Sequence, residues 1–403
     1  MSPTIGKRIL ILSASAGTGH VRAAAALEKA FRKIGGVEEV QSIDALKYTN
    51  RLFRDFYSKL YTQLVEKAPT FLGWWYKTSD EPWKTDQMRL MLDRLNTAPL
   101  IKQITQFNPD ITVCTHFLPA TLISHLISEK KLQARLSIVV TDLDFHAMWL
   151  SRTFHRYFVA LEETKIHLQK LGLPGDRITV SGIPIDTAFH EHSPEDQARI
   201  RTELGLDPDL PVLLVSAGAL GVSPAEIILE ALLDLRQAAQ IILLAGHNEE
   251  LKKRLEQIVA QSPAPLLRIK VIGYSEEMHR WMAAATLLIG KPGGLTISEA
   301  MACGLPMVIV SPIPGQEERN SDHLLEMGMA IKCNEFTTLS YKVGELLENP
   351  GRLQAMRRNA LSWAQPEAAQ VIARTLLDET QRPQEAVEID KSQREGVARI
   401  VRV

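Results

Sequence analysis

Residues 290–320 read Gly-Lys-Pro-Gly-Gly-Leu-Thr-Ile-Ser-Glu-Ala-Met-Ala-Cys-Gly-Leu-Pro-Met-Val-Ile-Val-Ser-Pro-Ile-Pro-Gly-Gln-Glu-Glu-Arg-Asn. An apolar strand, Thr286 to Ile289, leads in, and the chain turns on Pro292-Gly293-Gly294. A helix carrying Thr296, Ser298 and Glu299 in its first turns then begins. Glycines let backbone N–H groups come close to a ligand, and a helix N-terminus favours an anion there. Glu299, one turn in, can accept hydrogen bonds from two neighbouring hydroxyls, as on a ribose. Gln316, Glu317 and Asn320 follow a second apolar strand and add a polar cluster. A phosphate, a diol and further hydroxyls together describe a nucleotide-sugar.

A second glycine signal lies near the other end. The apolar run Arg8 to Leu12 is followed by Ser13-Ala14-Ser15-Ala16-Gly17-Thr18-Gly19-His20, then by Val21, Ala24, Leu27, Phe31 and Ile34 at helical spacing. Strand, Gly-rich turn and helix make a phosphate-approach element. The stretch lacks a complete Gly-x-Gly-x-x-Gly, and no Lys-Ser/Thr pair follows. It is therefore neither a dinucleotide fingerprint nor a P-loop. His20 sharpens it, because a helix N-terminus disfavours imidazolium and keeps the ring available as a base. The plainer alternative is a pair of turn glycines with a capping histidine.

Between these two points strands alternate with helices. Strands are expected at 8–13, 111–116, 136–142, 156–161 and 177–182, and again at 211–216, 241–245, 269–273, 286–290 and 306–311. Many are continuous apolar runs, as parallel strands buried on both faces require. The expected fold class is α/β, with two doubly wound Rossmann-like domains facing across a cleft. A chain of 403 residues is of the right length for two domains. The first is expected over 1–190 and the second over 200–365, with the boundary inside the polar stretch 186–208. A helix over 366–380, expected from the fold to cross back to the first domain, and a polar, poorly ordered tail over 381–403, in which Val397 to Val403 could form a short amphipathic piece, complete the chain.

The formal net charge is −1, so a nucleic-acid partner is not expected. Cys114, Cys303 and Cys333 have no metal-ligand spacing and suit a reducing cytoplasm. The sequence opens on a strand, with no basic-apolar leader and no apolar run long enough to span a bilayer.

Several blocks occur in a telling order: the Ser-x-Gly-x-Gly-His turn, Val139-Val140-Thr141-Asp142, Val180 to Ile185, the Lys291 to Ala300 block, and Pro314 to Glu317. In this the chain resembles the monogalactosyl/glucosyl-diacylglycerol synthases, of the same glycosyltransferase family as the peptidoglycan N-acetylglucosaminyl transferase. The resemblance covers about residues 5–380. It implies the two-domain glycosyltransferase architecture called GT-B, a UDP-sugar donor and inversion at the anomeric carbon. The acceptor implied is the free hydroxyl of 1,2-diacylglycerol and the sugar glucose or galactose. The rival readings are a UDP-N-acetylglucosamine transferase acting on another lipid-linked acceptor, a UDP-sugar-sensing regulatory protein without turnover, and a UDP-sugar hydrolase or epimerase.

Transfer to a hydroxyl needs a base and groups that hold the departing phosphates. His20 is the first candidate base and Asp142, ending a strand, the second. Asp142 could equally cap the following loop. His116, also at a strand end, either touches the acceptor or orients the loop, and His146 is a weaker candidate. On the donor side Gly19, Ser216, Gly218, Ala219, Lys291, Gly293, Gly294, Leu295 and Thr296 are expected around the phosphates and sugar. The resemblance adds Ser275 and Met278 at the base, Glu299 at the ribose, and Gln316 and Glu317 at the sugar hydroxyls. As a residue, Glu317 could instead be solvated. The cleft segments contain no Asp-x-Asp and the chain no His/Cys cluster, so no metal and no cofactor is expected; a loosely held Mg²⁺ stays open.

Residues 51–95 break the α/β rhythm. Nine of the 24 aromatics fall here, Trp74, Trp75 and Tyr76 among them, interleaved with eight Lys/Arg against six acids. Trp and Tyr favour membrane interfaces and Lys/Arg attract anionic headgroups. This points to peripheral attachment on the cytoplasmic face of a membrane. The alternative is a helical insert packing its aromatics inward.

Overall fold

The structure is a computed structural model describing residues 6–15, 17–48, 78, 80, 98–221, 223–380 and 385–389. Nearly all of the 51–95 insert, including Trp74, Trp75 and Tyr76, lies outside the described residues, as do Val397 to Val403. The chain forms two compact units. The first comprises 1–186, 314–316 and 367–403, and the second 187–313 and 317–366.

The first unit is built on β1 (Lys7–Ser13), β2 (Val37–Asp44), β3 (Ile111–Cys114), β4 (Arg135–Val139), the two-residue β5 (Thr153–Phe154), β6 (Arg156–Val159) and β7 (Ile178–Val180). Six of these form one sheet in the order β2-β1-β3-β4-β6-β7, with every pairing parallel. Ile9 to Leu12 of β1 and all four residues of β3 are buried, as a sheet covered by helices on both faces demands. One face is closed by the helices Gly19–Lys33 and Ala368–Thr380, whose Leu27, Phe31, Ile372 and Ala373 pack over Ile9, Ile11, Val113 and Phe158. The guanidinium of Arg156 pairs with Glu379, and Arg135 Nη1 donates to the Glu379 carbonyl (2.7 Å), tying that last helix to the sheet.

The second unit repeats the plan with β8 (Val212–Ser216), β9 (Ala239–Leu244), β10 (Leu267–Ile272), β11 (Leu287–Gly290), β12 (Met307–Val310) and β13 (Ala330–Cys333). Their order is β10-β9-β8-β11-β12-β13, again all parallel. Both units are therefore doubly wound, with crossovers that change direction beside β1 and beside β8. In such sheets ligands bind beyond the carboxyl ends of the strands at these switch points.

Three features differ from the sequence expectation. Strands β2 and β13 are additional, each at an edge of its sheet. Residues 314–316 group with the first unit. The tail is not wholly without structure: β14 (Val387–Glu388) pairs antiparallel with β5, Ile389 N–H donates to the Arg152 carbonyl (2.9 Å), and Ile389 is buried in the first unit's core. Val387 packs against the same core, and Arg177 Nη1 donates to the Glu385 carbonyl (3.2 Å), so several contacts hold this piece. Among the described residues no helix is long and apolar enough to cross a membrane.

Candidate functional site

In the first unit three adjacent strands bring the site together. The chain leaves β1 through Ser13 and Ala14, turns at Gly17 with φ of 91°, and starts the helix Gly19–Lys33. Such a φ suits glycine, which has no Cβ to clash. His20, in the first turn, reaches across the end of β3 toward β4. Its Nδ1 lies 3.0 Å from the Thr115 carbonyl and 2.8 Å from Thr141 Oγ1. Thr115 Oγ1 in turn donates to the His20 carbonyl (2.9 Å). A carbonyl can only accept, so the proton sits on Nδ1 and Nε2 carries the lone pair. The ring lies edge-on to His116, centroids 4.5 Å apart, and 6.3 Å from Trp149. Although the residue keeps part of its surface exposed, burial of the ring lowers its pKa to about 4, against the opposing pull of the Thr115 carbonyl. The imidazole is therefore neutral at pH 7 and ready to accept a proton at Nε2.

His116 is 1% exposed. Its Nδ1 accepts from Leu118 N–H (3.0 Å) and caps the helix Phe117–Ser128. This bond is the kind of contact that the orienting one of its two expected roles requires. Burial, then the neighbouring His20, hold its pKa well below the ordinary value. His146 likewise caps a short turn, accepting from Met148 N–H (3.1 Å), with Asp80 Oδ1 3.7 Å from its Nε2. Asp142 follows Thr141 and is half-buried. Thr115, Thr141 and Trp149 were not singled out in the sequence as partners of His20. Their adjacency depends on the strand order β1-β3-β4, which no local pattern encodes.

These imidazoles carry a pH signature. His155, whose Nδ1 accepts from Leu136 N–H (3.0 Å), is also lowered to about 4, by burial first and then by the charges of Arg135 and Arg177. In the unfolded chain His20 and His155 return to their ordinary 6.5. Between about 6.5 and 4 the unfolded state then binds more protons than the folded one. The contribution to stability is complete above 6.5 and is lost as pH falls toward 4. The melting temperature should accordingly drop between pH 7 and pH 5. A flat profile would mean that these rings are charged in the fold.

In the second unit the expected donor residues Gly218, Ala219, Ser275, Lys291, Gly293 and Gly294 follow strand carboxyl ends. Ser216 closes β8, and its Oγ accepts from Gly218 N–H (3.2 Å). Gly221 N–H donates to the Gly218 carbonyl (3.0 Å). The turn thus uses some of the N–H groups expected to meet a pyrophosphate for its own shape. Gly246, with φ of 64°, lets the next loop interlock with it: a Cβ there would lie 2.4 Å from the carbonyl oxygens of both Gly218 and Ala219. His247 and Tyr274, beyond β9 and β10, stack at 3.9 Å with Tyr274 exposed. Ser275 Oγ accepts from Glu277 N–H and from Trp281 Nε1, each at 3.1 Å, just before the helix Met278–Ala284.

Beyond β11, Lys291 to Gly293 form the turn, and the helix Gly294–Ala302 starts with Gly293 as its cap and no side-chain capping bond. Uncapped first-turn N–H groups suit an anion. Leu295 is buried and Thr296 half-buried. Asn320, fully buried, donates from Nδ2 to the Pro292 carbonyl (3.1 Å) and fixes the turn. Glu299 is 2% exposed, a carboxylate buried within its helix. Burying a carboxylate is costly, and such groups concentrate at functional sites. The helix Gln316–Glu326 begins with Gln316 and Glu317. Glu317 is not simply solvated: its Oε2 accepts from Ile313 N–H (2.7 Å), and burial raises its pKa against the Ile313 bond and the charge of Lys291. Among the described residues no group of three His, Cys, Asp or Glu could hold a metal ion.

Residues 20–185 match the family described as monogalactosyldiacylglycerol (MGDG) synthase, and residues 196–363 match glycosyl transferases group 1. A protein of Bacillus mycoides (strain KBAB4) named processive diacylglycerol beta-glucosyltransferase is 31% identical over 386 residues, 92% of this chain and 94% of that one. The chain belongs to the monogalactosyl/glucosyl-diacylglycerol synthase family. A second relative of that name, from Bacillus pumilus (strain SAFR-032), is 29% identical over 93% of this chain and 95% of its own. Among solved structures the Acinetobacter baumannii MurG shares the fold, with TM-score 0.58 and 19% identity over 93% of this chain and 99% of that one. Anabaena HepE in complex with UDP and glucose superimposes with TM-score 0.56 at 17% identity, covering 92% of this chain and all of that one. Membership makes this protein a glycosyltransferase of GT-B architecture, and the MGDG synthase match begins at His20.

Proposed function

We propose that this protein transfers a hexose from a UDP-sugar to the free hydroxyl of diacylglycerol with inversion, and that glucose is the sugar carried. The observation that supports the acceptor and sugar most strongly is the 31% identity, over 92% of the chain, to a protein named processive diacylglycerol beta-glucosyltransferase. In the reaction the acceptor oxygen attacks the anomeric carbon and the bond from that carbon to the UDP phosphate oxygen breaks. The bonding pair leaves with UDP, and the hydroxyl proton passes to His20 Nε2. Glu299 holds the ribose, the first turn of Gly294–Ala302 and Lys291 receive the developing phosphate charge, and Gln316 and Glu317 meet the sugar hydroxyls. Asp142, the other candidate base, steers the acceptor.

Diacylglycerol in mixed micelles, incubated separately with UDP-glucose, UDP-galactose and UDP-N-acetylglucosamine, tests this by chromatography of the lipids. Glucosyl-diacylglycerol is expected with UDP-glucose. Product from UDP-N-acetylglucosamine alone, or free sugar with no lipid product, would overturn it.

The reading also places the protein on a membrane surface through the 51–95 insert. Aromatic rings at headgroup depth and basic side chains beside them, as at Trp74, Trp75 and Lys77, suit a peripheral anchor. Replacing Trp74 and Trp75 by Ala should weaken sedimentation with anionic vesicles and leave UDP binding intact. Equal sedimentation of the variant and the wild-type protein would return the insert to an inward-packed role.

A further inference from the structure

Beyond the expected base itself, the contacts at His20 Nδ1 assign a role to a residue outside the sequence-based site. We propose that Thr141 is a positioning residue: the Thr115 carbonyl sets the tautomer of His20, and the Thr141 hydroxyl, as a second acceptor at the same N–H, supports the ring as it takes up a proton. This rests on the reading of His20 as the base.

Two acceptors converge on one nitrogen, the Thr115 carbonyl at 3.0 Å and Thr141 Oγ1 at 2.8 Å. Because the carbonyl requires a proton on Nδ1, the Thr141 hydroxyl cannot donate there; it shares the same N–H as a second acceptor. Thr141 is 3% exposed and Thr115 fully buried, so water does not compete for this N–H at either oxygen. Thr115 also holds the other end of the residue, donating from Oγ1 to the His20 carbonyl (2.9 Å). Among the described residues, the rings that lie against it are those of His116, itself neutral, and Trp149, and neither ring supplies a negative charge. When Nε2 takes the acceptor's proton, the positive charge spreads over the ring and strengthens the Nδ1–H bonds. The two oxygens are then the dipoles that offset the charge, acting in the step and hardly before it.

The test compares Thr141→Val, which keeps the side-chain shape and removes the oxygen, with Thr141→Ser, which keeps the oxygen. A hydrogen bond to a charged group corresponds to a change of about tenfold to a hundredfold. Thr141→Val should lower kcat by that factor with the KM for UDP-glucose unchanged, and Thr141→Ser should restore most of it. Nitrogen-15 spectra of histidine-labelled protein give a readout independent of turnover. Wild-type His20 should carry its proton on Nδ1, held there by the Thr115 carbonyl, and Thr141→Val should leave that tautomer in place while shifting the Nδ1 signal, because one of the two acceptors at that N–H is lost. Wild-type kcat in Thr141→Val, a Ser variant as impaired as the Val variant, or a wild-type His20 protonated on Nε2 would each overturn the proposal. His20→Ala separates the two readings: near-normal turnover there removes the base assignment, whereas its loss beside an unaffected Thr141→Val removes only the role of Thr141.

Discussion

Replacing His20 by Ala is expected to lower turnover by about 10²–10⁴ while leaving UDP affinity unchanged, the loss typical for a general base that acts only in the chemical step. Three properties put this effect first. The Thr115 carbonyl fixes the proton on Nδ1, so Nε2 has the lone pair a base requires. Burial keeps the ring neutral down to about pH 4, so the reactive form dominates at neutral pH. The ring projects from a Gly-rich turn at the switch point of its sheet, where ligands of doubly wound folds gather. A stopped assay with saturating UDP-glucose, paired with calorimetry of UDP binding, separates turnover from affinity. If Asp142→Asn abolishes turnover and His20→Ala does not, the base is Asp142.

The second large effect is expected at Glu299. Glu299→Ala should weaken UDP binding by about tenfold or more, since each hydrogen bond from a ribose hydroxyl to a carboxylate contributes roughly 1.5–3 kcal/mol. Alanine is favourable within the helix Gly294–Ala302, so the element itself should persist. Glu299→Gln, which keeps the size and removes the charge, should fall between the two. Calorimetry that returned wild-type affinity for both variants would take Glu299 out of the donor site.

The doubly wound plan was legible because its central strands are continuous apolar runs between glycine turns. Ile9 to Leu12 and Leu287 to Ile289 could be read directly as strands buried on both faces. The edges were not legible, for a physical reason. In β2, Glu38, Glu39 and Ser42 are exposed and only Val40 and Ile43 are buried, so the stretch lacks the hydrophobic pattern of a central strand. β13 is four residues long, with Ile331 and Lys332 only half-buried. Ile389 was hidden in a polar tail, because Val387-Glu388-Ile389 between charged residues is too short to give a strand period.

At the site the same division holds. His20, Glu299 and the Gly293-Gly294 turn announce themselves by residue type and by position after a strand. Thr115 and Thr141 lie beside residues already suspected, but their hydrogen bonds to His20 span 95 and 121 positions of chain. Only the order of β1, β3 and β4 brings them together. Which of the candidate side chains caps stayed open in the sequence, because a buried histidine that accepts a backbone N–H, as His116 does, has the same letter as one that meets a substrate.

The anomeric configuration of the lipid product is the most direct measure of single-displacement transfer. In UDP-glucose the sugar is α-linked, and one attack by the acceptor oxygen with proton removal by His20 inverts that centre. Proton NMR of the purified glycolipid made from UDP-glucose and diacylglycerol should show a β-linked glucose. An α-linked product would require a different mechanism, and would contradict the role given to His20.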